Sequence, residues 1–161
     1  MARLTLQGDK ELIRSLEALP QKVRKRVIRG ALRKGMTPIL QVARKTVPQQ
    51  KREGSRGRKV AGLLRKSLGH GKAVLYPDGR ATHAIGPRTG KKFKGTSQGS
   101  RIEIPAKYAH FSEFGSEHQK GQRWMTRARD RKKRTALLTL KIATFSGIAR
   151  EVNKLRLKGG R

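Results

Sequence analysis

The sequence predicts an α+β domain, a small antiparallel β-sheet packed by helices, with a long C-terminal helix and basic flexible loops. Three observations carry that expectation. Apolar residues between Pro20 and Val47 recur at steps of mostly three and four. Leu138, Ile142, Phe145, Ala149 and Val152 make a second seam of that kind, which predicts one long helix over residues 125–157. Between these regions lies Pro77-Asp78-Gly79, where Pro fixes φ and Gly permits a positive φ. Short alternating segments flank it, so a β-hairpin is expected.

The elements follow in order. Residues 2–7 alternate weakly and predict a short edge strand. Asp9 can cap a helix carrying Leu12, Ile13 and Leu16. Pro20 suits the first turn of the next helix, whose apolar face is Val23, Val27, Ala31, Leu32, Ile39, Ala43 and Val47. Gly35 and Pro38 predict a kink or break within it. Residues 48–59 are charged, contain glycine and lack periodicity, which predicts a mobile loop. Residues 60–68 read as a short helix or turn feeding a strand. The hairpin strands are expected over 72–76 and 82–86. Residues 88–100 form a second basic, Gly-rich loop, and 101–105 a third short strand. Residues 108–114 are compact and aromatic, and Gly115 can end their last turn. Residues 158–161 are expected to fray. One domain spanning 1–161 is the expectation for this length.

Charge bounds the function. The chain of 161 residues carries 41 Lys and Arg against 10 Asp and Glu, a net charge of +31. Like charges at that density repel one another in a compact state. Such a chain is expected to work beside a polyanion or acidic protein, and each phosphate it neutralises releases a counterion. Two clusters are the candidate contacts to DNA or an acidic partner: Arg24, Lys25, Arg26 and Arg29, and Arg129, Arg131, Lys132 and Lys133. Base-reading by stacking needs several exposed rings. Here most of the few aromatics, Tyr108, Phe111, Phe114 and Trp124, crowd one segment that reads as core. Phe111 and Phe114 are accordingly expected to be buried.

Other classes find little support. Without cysteine there is no disulfide or thiolate site. No stretch approaches the apolar length needed to cross a bilayer, so no membrane partner is expected, and the chain is expected to be made in a cytoplasm. His110, Glu113 and His118 lie close in sequence but match no zinc spacing, so no metal and no cofactor is predicted. Glu113 lacks an accompanying nucleophile or base, so an ion pair with a nearby Arg or Lys is its expected role rather than catalysis. Residues 86–90 form a Gly-rich basic turn, but no helix opens after it as a phosphate loop requires. A metal-dependent nuclease would need clustered acids that this chain lacks.

Several segments together carry a family resemblance. Tyr108-Ala-His-Phe-Ser-Glu-Phe-Gly-Ser116 resembles the YAxFxEFGT signature of the tail completion, or head–tail joining, proteins of long-tailed bacteriophages. Residues 6–48 are similar to that family's opening helices, residues 62–68 to its G-x-L-x-x-S-[IL] step, and residues 84–90 to its glycine-proline strand end. The likeness covers residues 4–130. One departure is clear: the family commonly continues with a Pro-rich segment, whereas this chain has Gln122-Arg-Trp-Met-Thr-Arg-Ala128, without proline.

The resemblance implies a non-enzymatic structural protein of the virion neck, assembled in the host cytoplasm. It would form a homo-oligomeric ring, hexameric by expectation, between the head connector and the tail terminator or tube proteins. Double-stranded DNA would pass through the channel. Tyr108, Phe111, Glu113, Phe114, Gly115 and Trp124 would then be the structural or assembly motif. The competing expectation is a non-specific nucleic-acid-binding protein of ribosomal or nucleoid type, where such a charge is equally at home.

Overall fold

A computed structural model describes Arg14, residues 17–48, 62–76, Asp78, and residues 80–89, 95–96, 102–103 and 105–159. The expected strand at 2–7 and most of both expected loops lie outside those residues. So do Leu12, Ile13 and Leu16, although Arg14 and Glu17 are helical and Ala18 N–H donates to the Arg14 carbonyl at 3.0 Å.

Helix α1 is Gln21–Thr46. Pro20 stands at its N-cap, one position before the expected first turn, and its carbonyl accepts from Arg24 N–H at 2.9 Å. Val27, Ala31, Ile39, Ala43 and Val47 are buried, as the periodicity predicts. Arg44 and Lys45 in the last turn suit the negative end of the helix dipole. Of the kink or break expected near Gly35–Pro38, a break does not occur, since the helix is continuous through both residues. Tertiary packing holds it there, because Gly35 is a contact point with the last helix.

That last helix, α4, is Trp124–Gly159, close to the expected span. It lies antiparallel to α1. Thr46 Oγ1 donates to the Trp124 carbonyl at 3.4 Å, Gly35 meets Leu140, Val27 meets Gly147, and Arg26 reaches Glu151 at 3.9 Å. The face that α4 turns inward corrects the sequence reading. Trp124, Ala128, Ala136, Thr144 and Glu151 are buried, whereas Leu138, Ile142 and Phe145 are 60%, 57% and 48% exposed. Ala149 is exposed as well, and only Val152 of the expected seam is half-buried. Where the helices approach closest, Gly35 and Gly147 make room for Leu140 and Val27, Ala128, Ala136 and Thr144 line the contact, and the large side chains of the expected seam point outward.

Between the long helices lie the smaller elements. Helix α2, Leu63–Ser67, buries Leu63 and Leu64 and begins after Gly62, whose φ of 71° is left-handed. Strands β1, Leu68–Leu75, and β2, Ala81–Pro87, form the expected antiparallel hairpin. Strand β1 starts four residues before the expected position, because buried Leu68 and Gly69 already pair with Pro87 and Gly86. A bulge between His70 and Ala73 shifts the register. In the turn, Tyr76 N–H donates to the Arg80 carbonyl at 2.8 Å and Arg80 N–H to Asp78 Oδ1 at 3.0 Å. Arg44 fastens the hairpin base to α1 by donating to the Leu68 carbonyl from Nη2 at 2.7 Å and from Nε at 3.2 Å.

Strands β3, Gly95–Thr96, and β4, Ile102–Glu103, pair antiparallel. The stretch 88–100, expected as loop throughout, therefore contributes a strand, and the expected third strand is shorter than 101–105. Helix α3 is Pro105–Phe114, and β5, Gly115–Ser116, pairs with β6, Gln119–Lys120. The core joins Ile39, Leu40 and Ala43 of α1, and Val47 at its C-cap, to Leu64, Leu68, Ala109, Trp124, Ala128 and Ala136. It sits where the C-terminal half of α1 meets the N-terminal half of α4.

Candidate functional site

The aromatic motif folds into a junction between α3 and α4. The inward side of α3 is Pro105, Ala109 and Glu113, one residue per turn. At about 100° per residue, Phe111 and Phe114 fall about 200° and 140° from Ala109. They therefore lie on the outer side. Phe111 is 47% exposed and Phe114 77%, which corrects the expectation that both are buried in the subunit. The His110 ring lies 3.8 Å from that of Phe111. Tyr108 is half-buried against the core. Trp124 is buried in it and anchors the start of α4, so that end docks without the Pro-rich segment.

Glu113 links the two helices directly. Its Oε2 accepts from Met125 N–H at 2.8 Å. Its Oε1 accepts from Thr126 N–H at 2.9 Å and from Thr126 Oγ1 at 2.7 Å. The first N–H groups of a helix have no partner within it, and they carry the positive end of its dipole. A carboxylate there satisfies both needs. Glu113 thus caps α4 from another helix, and the expected ion pair with Arg or Lys is replaced by this role.

The connecting chain is held tightly. Gly115 has φ 95°, a conformation that requires glycine. Gln122 N–H donates to the Ser112 carbonyl at 3.0 Å and Arg123 N–H to the Glu113 carbonyl at 2.9 Å. Arg123 itself adopts φ 47°, uncommon for a residue with a side chain. Gly121 passes directly over the Phe114 carbonyl, where a Cβ would collide. Sequence reasoning missed Thr126 and Gly121. A cap supplied from another helix leaves no local signature of the S/T-x-x-E kind.

His110, Glu113 and His118 do not converge, since both histidines are exposed and the carboxylate is committed to the cap. Among the described residues no group of three or more His, Cys, Asp and Glu could hold a metal ion. No helix among them is long and apolar enough to cross a membrane.

A histidine pair that sequence reasoning passed over sits between the hairpin and α1. His70 Nδ1 and His83 Nε2 are 3.0 Å apart, and Thr37 Oγ1 lies 3.4 Å from His70 Nε2. Burial holds both rings below the ordinary pKa of 6.5. The His83 ring and the Arg33, Arg88 and Arg44 guanidiniums lower His70 further, and Arg33 lowers His83.

The basic candidates form two separate groups. Lys25, Arg26 and Arg29 are exposed, and Arg26 pairs weakly with Glu151. Arg24 is half-buried, its Nη2 donating to the Glu17 carbonyl at 2.6 Å. Lys154 donates to Glu151 at 3.0 Å, and that hydrogen bond, with the cations around it, holds the Glu151 carboxyl below its usual value. On α4, Arg129, Arg131 and Lys133 are exposed, Lys132 is half-buried, and Arg129 pairs with Asp130 at 3.0 Å. Val27 is level with Gly147, so the two groups stand roughly 24 Å apart at about 1.5 Å per residue. The fold does not merge them into one patch.

A family model described as "Bacteriophage HK97-gp10, putative tail-component" matches residues 10–115. The chain belongs to the HK97-gp10-like family. The signature run at Tyr108–Ser116, the hairpin and α1 all fall within or at the edge of the matched span. Membership makes this protein a structural component of the phage tail, a virion protein. The family match ends at Gly115, one residue past α3, and α4 lies wholly beyond it. No curated protein and no solved structure matches the chain.

Proposed function

We propose that this protein is a ring-forming subunit of the phage neck that joins the DNA-filled head to the tail and lets DNA pass. The ring, hexameric in this reading, sits between the head connector and the tail terminator or tube proteins. The supporting observation is a net charge of +31 on a tail-component family member, with exposed Arg and Lys grouped towards both ends of the α1–α4 pair. Basic side chains at both ends suit a subunit that meets DNA in the channel and acidic surfaces on adjoining rings. The protein acts by position rather than by chemistry.

The test is a phage carrying a nonsense mutation in this gene, grown with and without a complementing copy. DNA-filled heads and separate tails should accumulate without complementation, and imaging of complemented particles should place a ring of this protein at the neck. Normally joined particles in the mutant would overturn the reading.

A further inference from the structure

Two apolar patches stand exposed among the described residues. The first is the strip of Leu138, Ile142 and Phe145 on α4, continued by Ala149. Residues 135–149 carry a single charged side chain, Lys141, in a chain that is 32% charged. The second is Phe111 and Phe114 on the outer side of α3. Residues 108–116 also carry one charged side chain, Glu113, and it is buried in the cap. Both patches are thus apolar, each with an exposed cation at one edge only: Lys107, one turn before Phe111, and Arg134, one turn before Leu138. The junction at Glu113 fixes Phe114 near the start of α4, whereas Ile142 lies roughly 27 Å along that helix. A chain cannot cover one of its patches with the other.

Charge selects the occupant. DNA or an acidic protein gains attraction from the basic surface and nothing from an uncharged strip. A second copy brings the same +31, and copies repel wherever their basic faces meet. Copies can approach most closely where exposed charge is sparsest. Ring geometry sets the pairing, because a closed ring needs two different, complementary surfaces on each subunit, while a surface that pairs with itself stops at a dimer. The molecule presents two different apolar surfaces on separate elements.

We infer that Phe111 and Phe114 of one copy dock on the Leu138, Ile142 and Phe145 strip of the next copy. The inference rests on the ring reading above and adds to it the contact that closes the ring.

The chain has no cysteine, so two can be placed at will. F114C, I142C and the double variant are assembled as full chains, treated with a short bismaleimide, and run on denaturing gels. Light scattering of the untreated samples gives their masses. The double variant should give a covalent ladder reaching the ring size, and each single variant should stay at monomer mass. Cross-linking of I142C alone would reveal a two-fold strip-to-strip contact and overturn the inference. A link formed within one chain would overturn it too. Oligomers without a 114–142 link would overturn it while the ring reading stands. A monomer at every concentration, with and without DNA, would overturn both.

Discussion

Gly35 of α1 lies so close to Leu140 of α4 that a Cβ on the glycine would stand 2.9 Å from the Leu140 Cβ and 3.2 Å from the Ala136 carbonyl oxygen. Gly147 makes the reciprocal accommodation on α4, where a Cβ would lie 2.9 Å from Val27 Cγ1. The antiparallel pair is therefore gripped at two levels by an absent side chain. Ala128, Ala136 and Thr144 line this contact beside Leu140, while Leu138, Ile142 and Phe145 lie on the exposed side of α4.

The same substitution at two glycines of α1 should act in opposite directions. Gly30 is exposed, and a Cβ there would have nothing within 4 Å. Gly30→Ala should stabilise by about 0.5–1 kcal/mol, the usual gain for Ala over Gly within a helix. Gly35→Ala gains the same propensity but forces the helices apart. Overpacking of that kind costs about 1–3 kcal/mol. Thermal melts should show Gly30→Ala rising and Gly35→Ala falling; a rise in both would mean that the pair can separate freely.

Glu113→Ala should destabilise the junction far more than Glu117→Ala. It leaves the N–H groups of Met125 and Thr126 and a hydroxyl, all part-buried, without their acceptor, and an unpaired group costs up to about 1–3 kcal/mol where water cannot replace that acceptor. Glu117 is exposed, and a change there should stay within about 0.5 kcal/mol. Urea unfolding of the two variants decides it. Equal midpoints would show that the cap contributes nothing.

Stability should fall as the solution is acidified through the histidine range. Burial holds His70 and His83 below 6.5 in the folded chain. Between the folded and unfolded values the unfolded chain binds more protons, so stability rises with pH there. The contribution is present above about pH 6.5 and is lost as pH falls through the lowered values. Arg33, Arg44 and Arg88 around the pair deepen the loss, because they oppose a charged His70. Denaturant midpoints across this range should drop towards acid in the natural sequence and drop less in His83→Gln. Parallel curves would remove the pair as the cause.

The long helices, the hairpin and its turn were legible because period and turn chemistry are local. What covers a periodic face is not local. Leu138, Ile142 and Phe145 do repeat as a helical seam, yet the fold sets that seam outward, since Gly35 of α1 receives Leu140 and the buried positions on α4 go to Ala136 and Thr144. In α3 the aromatic rings drew attention, while the inward positions belong to Ala109 and Glu113. Glu113 and Thr126, or His70 and His83, meet only through a chain turn or a bulged register. The family signature was legible, and it spans the junction without revealing what the carboxylate does there.

DNA affinity should be steeply salt-dependent and indifferent to sequence. The exposed groups at Lys25, Arg26 and Arg29 and at Arg129, Arg131 and Lys133 stand roughly 24 Å apart by the helical rise, so no single recognition surface gathers them. Contacts of this kind go to phosphates, which position a protein but carry no sequence information. Replacing Arg129, Arg131, Lys132 and Lys133 by Glu should weaken binding equally on unrelated duplexes and flatten the dependence of affinity on salt, because fewer counterions are released. Changing Lys25, Arg26 and Arg29 in the same way separates the two ends of the helix pair. If the α4 variant keeps full DNA affinity but blocks joining of heads to tails, that cluster faces an acidic neighbouring ring and the α1 end faces the channel. A sharp preference for one duplex sequence in the natural protein would overturn the electrostatic account altogether.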